Sequence, residues 1–193
     1  PAGYRLVWAD EFDTGALPDR ARWAYDTDRN VEGWHNHEQQ YYAAERRENA
    51  RIENGALIIE AHRERLESAA DFGGQDYTSA RLVTDGVASW TYGFFEIRAK
   101  LPCGRGTWPA IWTLGQQAEH GWPHDGEIDI MEHVGRDAGV VHGTVHTGAY
   151  NHVRRNSRSA TTRVETACDD FHRYQMLWLP NRIIIGVDDR AYY

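Results

Sequence analysis

An all-β fold is what this 193-residue sequence predicts, and three observations predict it. Short β-branched and aromatic runs recur along the chain, separated by Gly, Asn and Asp, the pattern of strands joined by tight turns. Helical periodicity is weak throughout: residues 36–48 are the best stretch, yet they carry aromatics without a sustained apolar stripe and read as loop and short strand. The spacing of the runs suits two packed antiparallel sheets. With 41% hydrophobic and 12% aromatic residues, the chain can build a single domain, residues 1–193, around a substantial core.

Taken in order, Asn54-Gly55 forms a turn into a strand at residues 56–61, since Asn and Gly accept the left-handed backbone that a tight hairpin needs. Strands are expected at 79–84, 92–101, 109–114, 127–133, 140–147, 171–179 and 182–188, each apolar or alternating and bounded by turn residues. The Arg/Ser/Thr-rich stretch 151–169 reads as a surface loop. The last strand turns through Asp188-Asp189, and the three residues after Arg190 leave little room for a returning strand.

Composition excludes several function classes. The net charge of −8 argues against a nucleic-acid backbone or an anionic membrane surface as partner, because both need a basic face. No apolar run approaches the ~20 residues that span a bilayer, and the chain opens on Pro1, as a processed or excised piece would. Cys103 and Cys168 are too few for a disulfide framework and wrongly spaced for zinc, which leaves a single disulfide between them as one option. The pairs His35/His37 and His142/His146 show no third ligand and read as polar strand positions.

The residues that carry chemistry lie in Gly126-Glu127-Ile128-Asp129-Ile130-Met131-Glu132. Three carboxylates within six residues of an apolar strand are costly unless paired or functional. A regular strand puts Glu127 and Asp129 on one face and Glu132 on the other. One extra residue near Met131, a β-bulge, brings all three to the same face. Such a cluster suits glycoside hydrolysis, in which one carboxylate attacks the anomeric carbon and another protonates the departing oxygen. Mutual repulsion keeps one of them protonated, and Asp129 is placed to hold Glu127.

Eight tryptophans and ten tyrosines are many for this length. Trp8, Trp23, Trp90 and Trp178 read as core. Trp34, Trp108, Trp112 and Trp122 sit in polar or glycine-rich contexts and read as platforms for sugar rings, with Trp34 on a loop that presents its ring.

With these motifs in order, the chain resembles glycoside hydrolase family sixteen, specifically its bacterial laminarinase-like endo-β-1,3-glucanases. The likeness rests on residues 6–13, Gly33 to Tyr42, Tyr77 to Leu82, Trp90 to Glu96, Trp108 to Gly115, the acidic run, His142 to Thr147 and Val187-Asp188-Asp189. It implies a β-jelly-roll sandwich with a concave cleft for a β-glucan polysaccharide, and further strands past the position of Tyr193. It also implies retaining hydrolysis of β-1,3-glucan or mixed β-1,3-1,4-glucan by a secreted monomer, with Glu127 as nucleophile, Asp129 as its assistant and Glu132 as general acid/base. Matching positions imply that Asn36, Arg81, Trp108, Trp112 and His146 contact glucosyl units, with Trp34 and Trp122 at the cleft's edge. No cofactor is implied for the chemistry; a structural calcium, held in part by Glu11 and the Gly55 carbonyl, is. The competing readings are a galactan substrate for the same machinery and a non-catalytic β-glucan-binding protein. The three retained carboxylates argue against the latter.

Overall fold

The computed structural model describes residues 2–116 and 120–193. Among these residues there are fourteen strands, β1 to β14, and a single 3-10 turn at His35–His37, so the fold is all-β. The chain divides into two compact units, Arg5–Trp90 and Thr91–Tyr193 with Pro1–Tyr4.

The Arg5–Trp90 unit contains three short strand pairs. β1 (Ala24–Tyr25) lies antiparallel to β6 (Leu82–Val83), β2 (Gln40–Tyr42) parallel to β5 (Tyr77–Ser79), and β3 (Ala50–Glu53) antiparallel to β4 (Ala56–Ile59). The expected strand at 79–84 is therefore two strands that pair with different partners. Asn54 and Gly55 turn the β3–β4 hairpin with φ of 54° and 71°, the primed-turn geometry that Asn-Gly accepts. Polar contacts knit the interior: the Asn49 amide donates to Thr78 Oγ1 and to the Glu60 carbonyl. Trp8 packs edge-on against both Trp23 and Trp90.

The other unit holds two four-stranded antiparallel sheets. One runs β11 (Arg158–Arg163), β10 (Val140–His146), β9 (Glu127–His133), β8 (Ala110–Leu114); the other runs β14 (Arg190–Ala191), β13 (Arg182–Val187), β12 (His172–Leu179), β7 (Gly93–Ala99). Ile128, Ile130, Met131 and Val141 from the first sheet and Tyr174, Met176, Ile185 and Val187 from the second form one buried cluster, which apolar burial stabilises by about 25 cal/mol per Å². Cys103 and Cys168 are joined as a disulfide across 65 residues, with Cα atoms 5.8 Å apart.

Two expectations need correction. Residues 151–169 are not all loop, because β11 makes six residue pairs with β10. An edge strand with a solvated face has no apolar alternation to announce it, and Thr161 and Thr162 were its only β-branched signal. The chain also does return after Asp188-Asp189. Both aspartates adopt left-handed φ, 49° and 65°, so a two-residue turn suffices and Arg190–Ala191 pairs with Gly186–Val187.

Candidate active site

Strand β9 has the irregularity that the carboxylate pattern requires. Against β10, Glu132 pairs with His142 and Asp129 with Thr144, so Ile130 and Met131 together oppose Gly143. Against β8, Met131 pairs with Ile111 and Asp129 with Trp112, which leaves Ile130 over. Two residues opposing one is a β-bulge. Both extra-register side chains point inward, Ile130 at 2% and Met131 at 1% exposure, which turns Glu127, Asp129 and Glu132 together to the outer face. Gly143, opposite the bulge, is closely packed: a Cβ there would lie 2.8 Å from Tyr192 Oη and 3.1 Å from Ile185 Cδ1, so a larger residue would have to displace those side chains.

Indole N–H groups hold the two glutamates. Trp108 Nε1 donates to Glu132 Oε1 at 3.0 Å, and Trp122 Nε1 donates to Glu127 Oε2. Asp129 and Glu127 share a hydrogen bond. His146 Nε2 lies 3.3 Å from Asp129 Oδ2, both side chains being nearly buried. The Trp122 ring also lies against His152, centroids 4.8 Å apart, and His152 meets His146 edge-on at 5.5 Å.

Burial drives the electrostatics. It raises Glu127 to about 7, with the Asp129 charge adding and the Trp122 N–H opposing. Burial also raises Asp129, against the pull of His146. Glu132 is raised by burial first, with the Trp108 hydrogen bond opposing and the Glu127 charge adding. His146 is raised chiefly by its contact with Asp129. Near neutral pH Glu127 thus retains its proton in part, and the Glu127–Asp129 pair titrates as a unit. The cluster can deliver a proton and present a nucleophilic carboxylate on the same face.

The expected site residues fall into two groups. Trp108, Trp112, Trp122 and His146 gather about the three carboxylates, Trp112 across from Asp129 on β8 and His146 across from Glu127 on β10. Trp34, Asn36 and Arg81 belong to the Arg5–Trp90 unit. Asn36 is exposed, in a left-handed conformation with φ 57°. Arg81 pairs with Asp26 at 2.9 Å and lies 5.0 Å over the Trp34 ring. Trp34 does not present its ring: it is 7% exposed, donates to Asn30 Oδ1 and packs edge-on against Tyr42 at 4.7 Å. The buried Asn30 explains the difference, since its amide also bonds both backbone groups of Tyr42 and draws the indole inward.

Sequence reasoning missed His152, which lay in the stretch read as loop. The turn that carries it is built on buried Asn151, whose amide donates to the Thr147 carbonyl and whose Oδ1 accepts from the Arg154 amide. Sequence reasoning also assigned Trp108 and Trp122 only to sugar stacking, whereas their N–H groups hold the carboxylates. As for calcium, Glu11 is exposed and gathers with no two other His, Cys, Asp or Glu side chains among the described residues. Calcium takes six to eight oxygens, so one carboxylate and a turn carbonyl do not make a site by themselves.

Comparison with known proteins agrees with this geometry. The chain is 56% identical to a β-glucanase of Rhodothermus marinus over 98% of its length, and it spans 65% of that protein. A mutant of SCLam, a non-specific endo-β-1,3(4)-glucanase co-crystallised with 1,3-β-D-cellotriosyl-glucose, superposes with a TM-score of 0.98 at 54% identity. It covers all of this chain and 74% of its own. The laminarinase of Rhodothermus marinus superposes with a TM-score of 0.90 at 57% identity, over 97% of this chain and 73% of its own. Residues 37–193, the stretch that carries the bulged acidic strand and its tryptophans, match the family described as Glycosyl hydrolases family 16, and the chain belongs to that family.

Proposed function

We propose that this chain carries the machinery for retaining endo-hydrolysis of β-1,3-glucan or mixed β-1,3-1,4-glucan, acting as a secreted single domain that needs no cofactor. The observation that carries the reading is the bulge on β9, which turns Glu127, Asp129 and Glu132 to one face. Glu127 attacks the anomeric carbon, and Glu132, whose burial favours its protonated form, gives its proton to the departing oxygen. Water then hydrolyses the glycosyl ester, with Glu132 taking its proton. For the attack, Glu127 passes its proton to Asp129 across the hydrogen bond that the pair shares. Trp108, Trp112 and His146 contact the sugar, as the resemblance implies.

The test is a product profile from laminarin, lichenan and agarose side by side, with the anomeric configuration of the first product followed by NMR. Retained β-configuration from laminarin or lichenan supports the proposal. Absence of new reducing ends from both glucans, or full activity in Glu127→Gln, overturns it.

A further inference from the structure

We propose that Glu127, Asp129 and His146 form a binding site for a divalent transition ion of the zinc type, and that occupancy blocks the carboxylate cluster. One ligand atom from each of the three lies within 4.8 Å of the other two. The His146 Nε2 to Asp129 Oδ2 distance is 3.3 Å, long for an N–H···O hydrogen bond. It is instead close to the edge of a tetrahedral site, about 3.3–3.6 Å for metal bonds of about 2.0–2.2 Å.

A buried atom points the same way. Asp129 Oδ2 is sealed from solvent with no hydrogen-bond partner, a costly state for a polar atom, and a cation against it satisfies that need. Two carboxylates and an imidazole suit Zn²⁺, Cu²⁺ or Ni²⁺; Ca²⁺ and Mg²⁺ prefer an all-oxygen shell. Three protein ligands leave the fourth position of a tetrahedral ion to water. Trp122, bonded to Glu127 Oε2, fixes the orientation of one ligand. His146 Nδ1 lacks the acceptor that usually orients a ligating histidine, which makes the site about 10–100-fold weaker than one with that support. The other such cluster among the described residues, Cys103, Cys168 and His133, has both sulfurs committed to a disulfide.

Because Glu127 would be a ligand, a bound ion and a substrate exclude each other. Metal binding itself is independent of whether the chain hydrolyses glucan, so the two proposals fail separately. The experiment uses the full chain after chelator treatment, with Zn²⁺ followed by calorimetry and Co²⁺ by its visible d–d absorption. One ion per chain is expected, with intense bands of a four-coordinate Co²⁺ centre. Affinity should fall at least tenfold in Asp129→Asn and in His146→Gln, with their folds checked by circular dichroism, and stay unchanged in His37→Gln. Hydrolysis of laminarin should be lost at the same Zn²⁺ midpoint and restored by chelator. Absence of saturable binding at millimolar Zn²⁺, or undiminished affinity in both folded variants, overturns the site; an inhibition midpoint far from the dissociation constant overturns the blocking.

Discussion

Deleting Met131 should straighten β9 without moving any carboxylate to the other face. In the native register, Ile130 and Met131 share the place opposite Gly143, while Glu132 pairs with His142 and Ala110. Remove Met131 and Ile130 fills that place alone, against Gly143 and Ile111. Every other pair on both sides of β9 is unchanged, because period two then runs unbroken from Glu127 through Asp129 to Glu132. The loss is one fully buried side chain, 1% exposed, which costs about 2–5 kcal/mol. At about 2–4 °C per kcal/mol for a chain of this size, the melting temperature should fall by about 4–20 °C. Hydrolysis should persist below that temperature. An alanine inserted between Met131 and Glu132 makes the opposite case, since it sends Glu132 to the Ile- and Met-lined face. General acid–base catalysis contributes about 10²–10⁴-fold, and the insertion should lose that factor. Calorimetry and reducing-end release from laminarin read both variants. An inactive deletion with a native circular dichroism spectrum, or an active insertion, would refute the parity argument.

Three further predictions concern the same unit. Burial lifts Glu127 from 4.5 to about 7, so the folded state favours its protonated form, and the wild type loses stability as pH rises through that window. Glu127→Gln carries no such penalty: in metal-free buffer its melting temperature should exceed that of the wild type by an amount that grows from pH 4.5 to 7, worth about 3 kcal/mol at most at 1.36 kcal/mol per unit. A difference that shrinks with pH would show the opposite sign. Trp108→Phe removes the N–H that opposes the upward shift of Glu132. The alkaline limb of the pH–rate profile should therefore move to higher pH, and a move to lower pH would contradict the assignment of that limb. Replacing Cys103 and Cys168 by serine opens a link spanning 65 residues, for which loop-closure entropy gives about 4 kcal/mol. Thermal unfolding should shift down accordingly, and an unchanged transition would mean the loops it joins stay ordered without it.

The parts of this molecule legible in its sequence are those where burial imposes a period. β9, β10, β12 and β13 each have one face in the core, and their expected bounds differ from the observed ones by one residue or none. The bulge was legible for the same reason: carboxylates at 127, 129 and 132 cannot share a face in a regular strand. β11 was not, because Arg158 to Arg163 meets solvent and its order comes from backbone pairing with β10. Trp34 misled in the other direction. Its glycine and histidine neighbours describe the loop around it, while the ring's place is decided by Asn30 and Tyr42.

What no local pattern contains is the partner that a register brings across a sheet. His142 and His146 sit in sequence as polar beads on an apolar strand, and nothing near them signals an acid. Antiparallel pairing with β9 sets His146 opposite Glu127, and the bulge sets His142 opposite Glu132 instead of Met131. The extra residue in β9 therefore does two things. It turns the third carboxylate outward, and it fixes which β10 side chain each carboxylate meets. A histidine 17 positions away along the chain becomes Asp129's neighbour only because β9 and β10 pair in this register, so the shared proton, the perturbed acids and the candidate ion site all depend on the same strand pairing.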